Sequence, residues 1–136
     1  MSAIAARLRR LVVSRAANRC EYCRLSQEGQ EATFHVDHIL PKTAGGPTRA
    51  TNLALARVSC SLRKEARRSA LDPTINRRVA LFHPRRQRWG DHFRWDGFRI
   101  TGLTPTGRAT VAALEMNRPL ILAIREEEAF HGRNFR

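Results

Sequence analysis

The stretch Phe34-His35-Val36-Asp37-His38-Ile39-Leu40-Pro41 brings two histidines and an aspartate into a short run that alternates like a β-strand. A half-buried strand selects apolar side chains, so these polar groups indicate chemistry. A carboxylate can hold a divalent cation, and a neutral imidazole can take a proton from water near pH 7. This combination is typical of metal-assisted hydrolysis of a phosphodiester.

The alternation also creates a difficulty for that chemistry. On a regular strand, Asp37 and His38 point to opposite faces, whereas both have to approach one phosphate. Bulges and strand ends re-aim side chains at active sites. We therefore expect irregular geometry just before Pro41.

The residues around this run complete a longer pattern. Cys20-Glu21-Tyr22-Cys23 precedes it, and Gly45-Gly46, Asn52-Leu53, Cys60 and Lys64 follow it. Together with the histidine run, this pattern resembles the HNH endonuclease family over roughly the first half of the chain. The resemblance implies an α+β fold built on a ββα-metal (His-Me) finger, in which two strands, a loop and a helix grip one cation. It also implies cutting of nucleic acid, usually DNA.

The resemblance assigns roles to individual residues. His38 would be the general base, and Asp37 would hold the catalytic Mg²⁺ or Mn²⁺. His35 would assist at the metal or at the phosphate. Asn52 stands where the family keeps an asparagine that ties the loop and holds the base histidine, although a simple turn asparagine would explain it equally well.

Two positions depart from the family pattern. Ser61 stands where the family has asparagine or histidine as the second ligand on the metal side. Serine can coordinate a hard cation weakly or through water. Glu65, at i+4 on the expected helix, could supply the missing oxygen or could instead pair with an arginine.

The second departure is Arg57, which replaces a cysteine that would complete a second C-x-x-C with Cys60. Structural zinc takes four protein ligands, and Cys20, Cys23 and Cys60 supply three. A guanidinium cannot be the fourth ligand, which leaves His35, a bound water, or no zinc at all. We expect weakly bound or absent zinc, with Arg57 free to pair with Glu21 or a phosphate.

The chain of 136 residues carries 25 Lys+Arg against 12 Asp+Glu, for a net charge of +13. Two of these 25 are lysines, so 23 are arginines, whose planar fork binds phosphate bidentately. Arginine-rich codon usage explains part of the bias but not the net charge. We expect a nucleic-acid partner, double-stranded DNA in the first place, with RNA also compatible. The expected contacts are Arg63, Lys64, Arg67, Arg68, Arg94 and Arg99.

The periodicity predicts the order of the elements. A helix is expected over Ala3–Ala17, strands over Thr33–Leu40 and Asn52–Ala56, and a helix over Cys60–Ser69. Asp96-Gly97 predicts a hairpin that sets Arg94 opposite Arg99, a repulsion that an acidic neighbour or a phosphate would relieve. Thr104-Pro105 predicts a helix to about Met116, followed by a last helix.

These elements predict a single domain over 1–136, with an HNH core at about 18–72 and a hairpin and two helices at about 73–136. No apolar run is long enough to cross a bilayer, so we expect no membrane partner and a cytoplasmic location. The predicted function is a divalent-metal-dependent DNA endonuclease. The alternative is a catalytically impaired, HNH-like nucleic-acid-binding module, which the changes at Arg57 and Ser61 favour.

Overall fold

The computed structural model describes residues 4–133. Its described elements alternate between helices and short two-stranded antiparallel sheets, which confirms the α+β class. The expected helix start at Ala3 lies outside the described residues. No helix in the described part of the chain combines the length and apolar composition that crossing a membrane requires.

The first helix, α1 (Ala6–Arg15), is shorter than expected. Val12 is fully buried, and Ile4 and Leu8 pack on the same core, whereas Leu11 is largely exposed. Arg15 donates a hydrogen bond of 2.6 Å to the carbonyl of Leu53, which ties this helix to the central strand pair.

The central strand pair consists of β1 (His35–His38) and β2 (Leu53–Ala56), which run antiparallel with Asp37 opposite Ala54. Strand β1 ends at His38, earlier than Leu40, and its pairing is regular up to that point. All of β2 is buried. Helix α2 (Val58–Lys64) follows β2 directly and packs against β1.

The expectation of a helix continuing to Ser69 was wrong. Helix α2 ends at Lys64 because Glu65 adopts a positive φ of 50°. The chain then forms a hairpin of β3 (Ser69–Asp72) and β4 (Arg77–Ala80). Asp72 accepts from the backbone N–H of Thr74 at 2.9 Å, so it begins a turn here rather than ending a helix.

The second half begins with a short unpredicted helix, α3 (Trp89–His92), which leads into the predicted hairpin of β5 (Phe93–Asp96) and β6 (Arg99–Gly102). The predicted register was wrong by two residues: Arg94 lies opposite Thr101 instead of Arg99, and Asp96 lies opposite Arg99. The loop consists of Gly97 and Phe98, with Gly97 at a φ of 62°. No Arg–Arg repulsion arises in this register.

Helix α4 (Pro105–Ala113) begins as predicted, because the Thr104 hydroxyl accepts from the N–H of Gly107 at 3.0 Å. It ends three residues before Met116, and α5 (Pro119–Phe130) follows. Helix α4 packs on β3 and β6, and Arg108 forms an ion pair of 2.8 Å with buried Asp72. One apolar cluster joins both halves of the chain, from Val12 and Leu55 to Phe93 and Ile121.

Candidate functional site

An open cleft of about 300 Å³ lies where β1 meets α2 and the loop after β1. The cleft collects the predicted catalytic and metal-side residues of the strand and the helix. It is lined by His35, Asp37, His38, Lys42, Ser61 and Glu65, among others. Asp37 and His38 therefore share one cleft, even though β1 is regular, because the strand ends at His38 and both faces of its last residues reach the opening.

Asp37 is the most enclosed acid of this cleft. Its side chain is 10% exposed, and its Oδ1 accepts from the Ser61 hydroxyl at 3.3 Å. Burial raises the pKa of Asp37 above its ordinary value, while Lys64 and Ser61 pull it the other way. The carboxylate and the serine hydroxyl together form an oxygen donor set of the kind that hard divalent cations prefer.

Lys64 does not lie where the sequence suggested. Its side chain is 3% exposed, and its ammonium is 3.1 Å from Asp37 Oδ2 and 3.2 Å from the carbonyl oxygen of His38. No described residue makes a well-aligned hydrogen bond to Oδ2, so this oxygen interacts with Lys64 as an ion pair. The expectation that Lys64 belongs to an exposed DNA-binding surface is therefore corrected: the ammonium neutralises the carboxylate of the cleft.

His38 is oriented by a residue that the sequence did not single out. Its Nε2 lies 2.9 Å from the hydroxyl oxygen of Thr48, in the loop that follows β1. Burial, followed by the positive charge of Lys42, lowers the pKa of His38 below its ordinary value. The imidazole is therefore neutral at pH 7, which is the form that accepts a proton. Thr48 belongs to no sequence motif, so its contact with His38 becomes apparent only in the folded loop.

Asn52 closes this loop. It is buried, its Oδ1 accepts from the N–H of Leu40 at 2.8 Å, and its Nδ2 donates to the carbonyls of Leu40 and Pro47 at 3.1 and 2.9 Å. Gly46 allows the tight approach, because a Cβ there would lie 1.8 Å from the Leu40 carbonyl oxygen. Asn52 thus ties the loop that carries Thr48, through hydrogen bonds to Leu40 and Pro47.

The remaining predicted metal-side residues are less constrained. His35 is exposed on β1, and Glu65 is exposed just beyond the end of α2. Both line the cleft, but Glu65 does not share a helix face with Ser61, because the helix has already ended.

The three cysteines form a second, fully enclosed cluster. Their Sγ atoms lie within 4.8 Å of one another, and within residues 4–133 no histidine or carboxylate joins them. Burial opposes ionisation of Cys20, but hydrogen bonds from Cys23, Cys60 and the backbone of Arg57 outweigh it and lower the Cys20 pKa well below its ordinary value. The cluster could bind a metal, and it contains three thiols of the four ligands that a structural zinc site requires.

Arg57 does not pair with Glu21. Instead it donates to Gln30 Oε1 at 3.4 Å and to the hydroxyl of Ser59. Glu21 is buried, accepts from the N–H of Leu55 at 2.8 Å and forms an ion pair with Arg85. The cationic side chain that replaces the fourth cysteine therefore points away from the thiols.

The other predicted nucleic-acid contacts lie at the surface. Arg67 and Arg68 are exposed beyond α2, and Arg63 is partly exposed with an ion pair of 3.2 Å to Glu115. Arg94 and Arg99 are exposed on the β5–β6 hairpin, where Asp96 lies opposite Arg99. The four exposed arginines, Arg67, Arg68, Arg94 and Arg99, have the accessibility that phosphate binding requires.

Comparison with protein-family models supports the resemblance of this region to the HNH endonuclease family. Residues 20–67 match the model of the HNH endonuclease family, a span that runs from the first cysteine past the end of α2. No curated protein and no solved structure matches the chain. The match indicates a nuclease-type function and nucleic acid as the general class of substrate, and such domains generally use divalent metals. The similarity to the HNH endonuclease family therefore covers residues 20–67 of the chain.

Proposed function

We propose that this protein is an endonuclease that hydrolyses DNA phosphodiester bonds with a divalent cation, Mg²⁺ or Mn²⁺. The observation that supports this most is the shared cleft of Asp37, His38 and Ser61. In this proposal β1, β2 and α2 are the ββα-metal finger. Double-stranded DNA is the substrate, and the exposed arginines Arg67, Arg68, Arg94 and Arg99 contact its backbone.

His38 is the general base. When Nε2–H donates to the Thr48 hydroxyl, the free lone pair is on Nδ1, to which no described residue donates a hydrogen bond. Nδ1 then takes a proton from the water that attacks phosphorus. Asn52 acts through the loop, because it holds the segment that carries Thr48.

Asp37 and Ser61 would hold the cation, with His35 and Glu65 at the edge of the cleft near phosphate or metal-bound water. When bound, the cation neutralises charge on the scissile phosphate and on the leaving oxygen. Lys64 keeps the Asp37 carboxylate ionised and fixed in position.

The cysteine cluster would hold zinc weakly, through Cys20, Cys23 and Cys60 with a water as the fourth ligand. We propose that this zinc is sub-stoichiometric and that the apolar cluster shared by both halves of the chain stabilises the fold without it.

The test is cleavage of supercoiled plasmid with Mg²⁺, Mn²⁺ or a chelator, for the wild type and for His38→Ala. Loss of a general base costs about 10²–10⁴ in rate, so His38→Ala should nearly abolish nicking while DNA binding is retained. His131→Ala, which removes an exposed histidine of the C-terminal region, serves as the matched control. Equal nicking by wild type and His38→Ala from identical preparations would assign the activity to a contaminant.

A second function is favoured by the ion pair of Lys64 with Asp37 and by the serine at position 61. An ammonium on the carboxylate can stand in for a cation and leave a domain that binds DNA without cutting it. A wild-type protein that binds plasmid but does not nick it with either metal would establish this alternative.

A further inference from the structure

A second cavity, of about 210 Å³, is lined by residues that precede β1 and by residues of α2. Phe34 lines it one residue before His35 of the cleft, and Leu62 lines it one residue after Ser61. Its lining consists of two arginines, two uncharged polar side chains and an apolar wall. The members that carry the argument are Gln30, Phe34, Arg57, Ser59, Leu62 and Arg118.

The cavity is cationic. Arg57 and Arg118 both line it, no acidic residue does, and within residues 4–133 neither guanidinium has a carboxylate at ion-pair distance. The Nε of Arg118 is buried and makes no hydrogen bond to any described residue. Two guanidinium groups facing one cavity repel each other, and an anion between them would remove that cost. The Ser59 hydroxyl and the Gln30 amide already hold Arg57 in place.

The cavity also has an apolar part of its lining, which includes Phe34 and Leu62. Phe34 is buried, whereas Leu62 is 60% exposed. An anion alone leaves this apolar surface in contact with water. A phosphate that carries a sugar and a base would cover Leu62 as well as neutralise the arginines.

We propose that this cavity is a subsite for one nucleotide of the substrate strand. Arg57 and Arg118 bind the phosphate of that nucleotide, and Leu62 packs against its sugar or base. The proposal rests on the proposed nuclease function. It also gives Arg57 a role: the residue that replaces a cysteine of the family pattern has become a phosphate ligand.

The binding test uses the full-length chain and NMR titration with thymidine 5′-monophosphate, inorganic phosphate and thymidine. The nucleotide should shift the side-chain amide of Gln30 and the backbone amide of Ser59, and thymidine should not. Arg57→Gln and Arg118→Gln should each weaken nucleotide binding about tenfold, since each removes charge-assisted hydrogen bonds. Arg77→Gln, at an exposed position of β4, is the matched control for loss of one positive charge.

Unmoved signals, or unchanged affinity in both arginine variants, would overturn the subsite. Inorganic phosphate binding as tightly as the nucleotide would overturn the role of Leu62 and of the nucleotide. On DNA, Arg57→Gln should raise KM about tenfold and leave kcat unchanged, because the arginine touches a neighbouring phosphate. The titration needs no cleavage, so a chain that binds the nucleotide at Gln30 and Ser59 but never cuts DNA would refute the nuclease function and leave the subsite standing.

Discussion

Replacing Lys64 by methionine is expected to destabilise the fold strongly. Methionine keeps the apolar stem and most of the length, but it removes the ammonium that lies 3.1 Å from Asp37 Oδ2 and 3.2 Å from the His38 carbonyl. The Asp37 side chain, 10% exposed, would then keep only the Ser61 hydroxyl as a partner. A buried carboxylate without its counter-ion is costly, because the protein interior solvates charge poorly.

The magnitude follows from the burial of both partners. Removing one member of a buried ion pair typically costs about 3–5 kcal/mol, whereas removing both members together costs much less. Lys64→Met should therefore lower the free energy of unfolding by about 3–5 kcal/mol, a large share of the roughly 5–15 kcal/mol available to a domain. The double variant Asp37→Asn/Lys64→Met should be more stable than the sum of the two single changes predicts, by about 1–3 kcal/mol.

Urea denaturation followed by far-ultraviolet circular dichroism, with chelator present, measures all four members of this cycle. Arg68→Met is the matched control, since Arg68 is exposed and its loss should change stability by less than about 0.5 kcal/mol. A Lys64→Met variant as stable as this control, or two single changes that simply add, would show that the ammonium does not stabilise Asp37.

Three further changes test other parts of the site. Asn52→Ala removes three buried hydrogen bonds and should cost about 2–4 kcal/mol in urea denaturation, and a loss below about 1 kcal/mol would contradict its role in the loop. Lys42→Gln removes a positive charge that lowers the His38 pKa, so the pKa of His38 should rise in this variant. Since only neutral His38 accepts a proton, the rise of the cleavage rate with pH should move to higher pH. An unmoved pH profile would count against His38 as the base. Arg57→Cys should raise both zinc per chain and melting temperature, because metal bound only by the folded state adds to stability. One tightly held zinc in the wild type, with unfolding on chelation, would contradict weak binding.

The residues of the catalytic cleft could be predicted from the sequence because they are close in the chain. His35, Asp37 and His38 lie within the four residues of β1, so wherever β1 lies, they lie together. The same holds for Cys20 and Cys23, which share one turn. Thr48 could not be predicted in this way, because its contact with His38 exists only once the loop has closed.

The direction of Lys64 was unpredictable for a different reason. Lysine is rarely buried, so a lysine in a basic helix suggests a solvated face. What turned it inward was the unpaired charge of Asp37, 27 positions earlier in the chain, together with the end of α2 at Glu65. Long-range electrostatic pairing of this kind leaves no trace in local periodicity.

The hairpin register shows how burial can override turn propensity. Asp96-Gly97 is a strong two-residue turn signal, but the loop that forms is Gly97-Phe98. The observed register pairs Trp95 with Ile100, which is 1% exposed, and sets Asp96 opposite Arg99. Core packing and one favourable charge pair thus outweigh a turn preference that is worth little by itself.

The charge around the cysteines explains how the chain tolerates the loss of a fourth thiol. Arg125 is fully buried. Among the described residues, its guanidinium donates to uncharged acceptors, including the carbonyls of Phe98 and Cys23. The guanidinium also lies over the ring of Trp95. Within the described residues it has no carboxylate partner. Burial lowers the pKa of Arg125, and the charge of the cysteines opposes that shift. Zinc with three thiolates carries one net negative charge, and a metal-free cluster with Cys20 ionised carries the same charge.

Arg125 is therefore balanced whether or not zinc is bound. A cluster with four thiolates would lack this property, because the number of nearby cations needed to balance its charge would differ between the zinc-bound and the zinc-free state. We therefore expect the combination of three cysteines and one buried arginine to make the fold insensitive to chelator. Arg125→Met should lower the melting temperature by the same amount with and without chelator, since it leaves the negative charge of the cluster without a counter-ion in both states. A loss of stability in only one of the two conditions would contradict this charge balance.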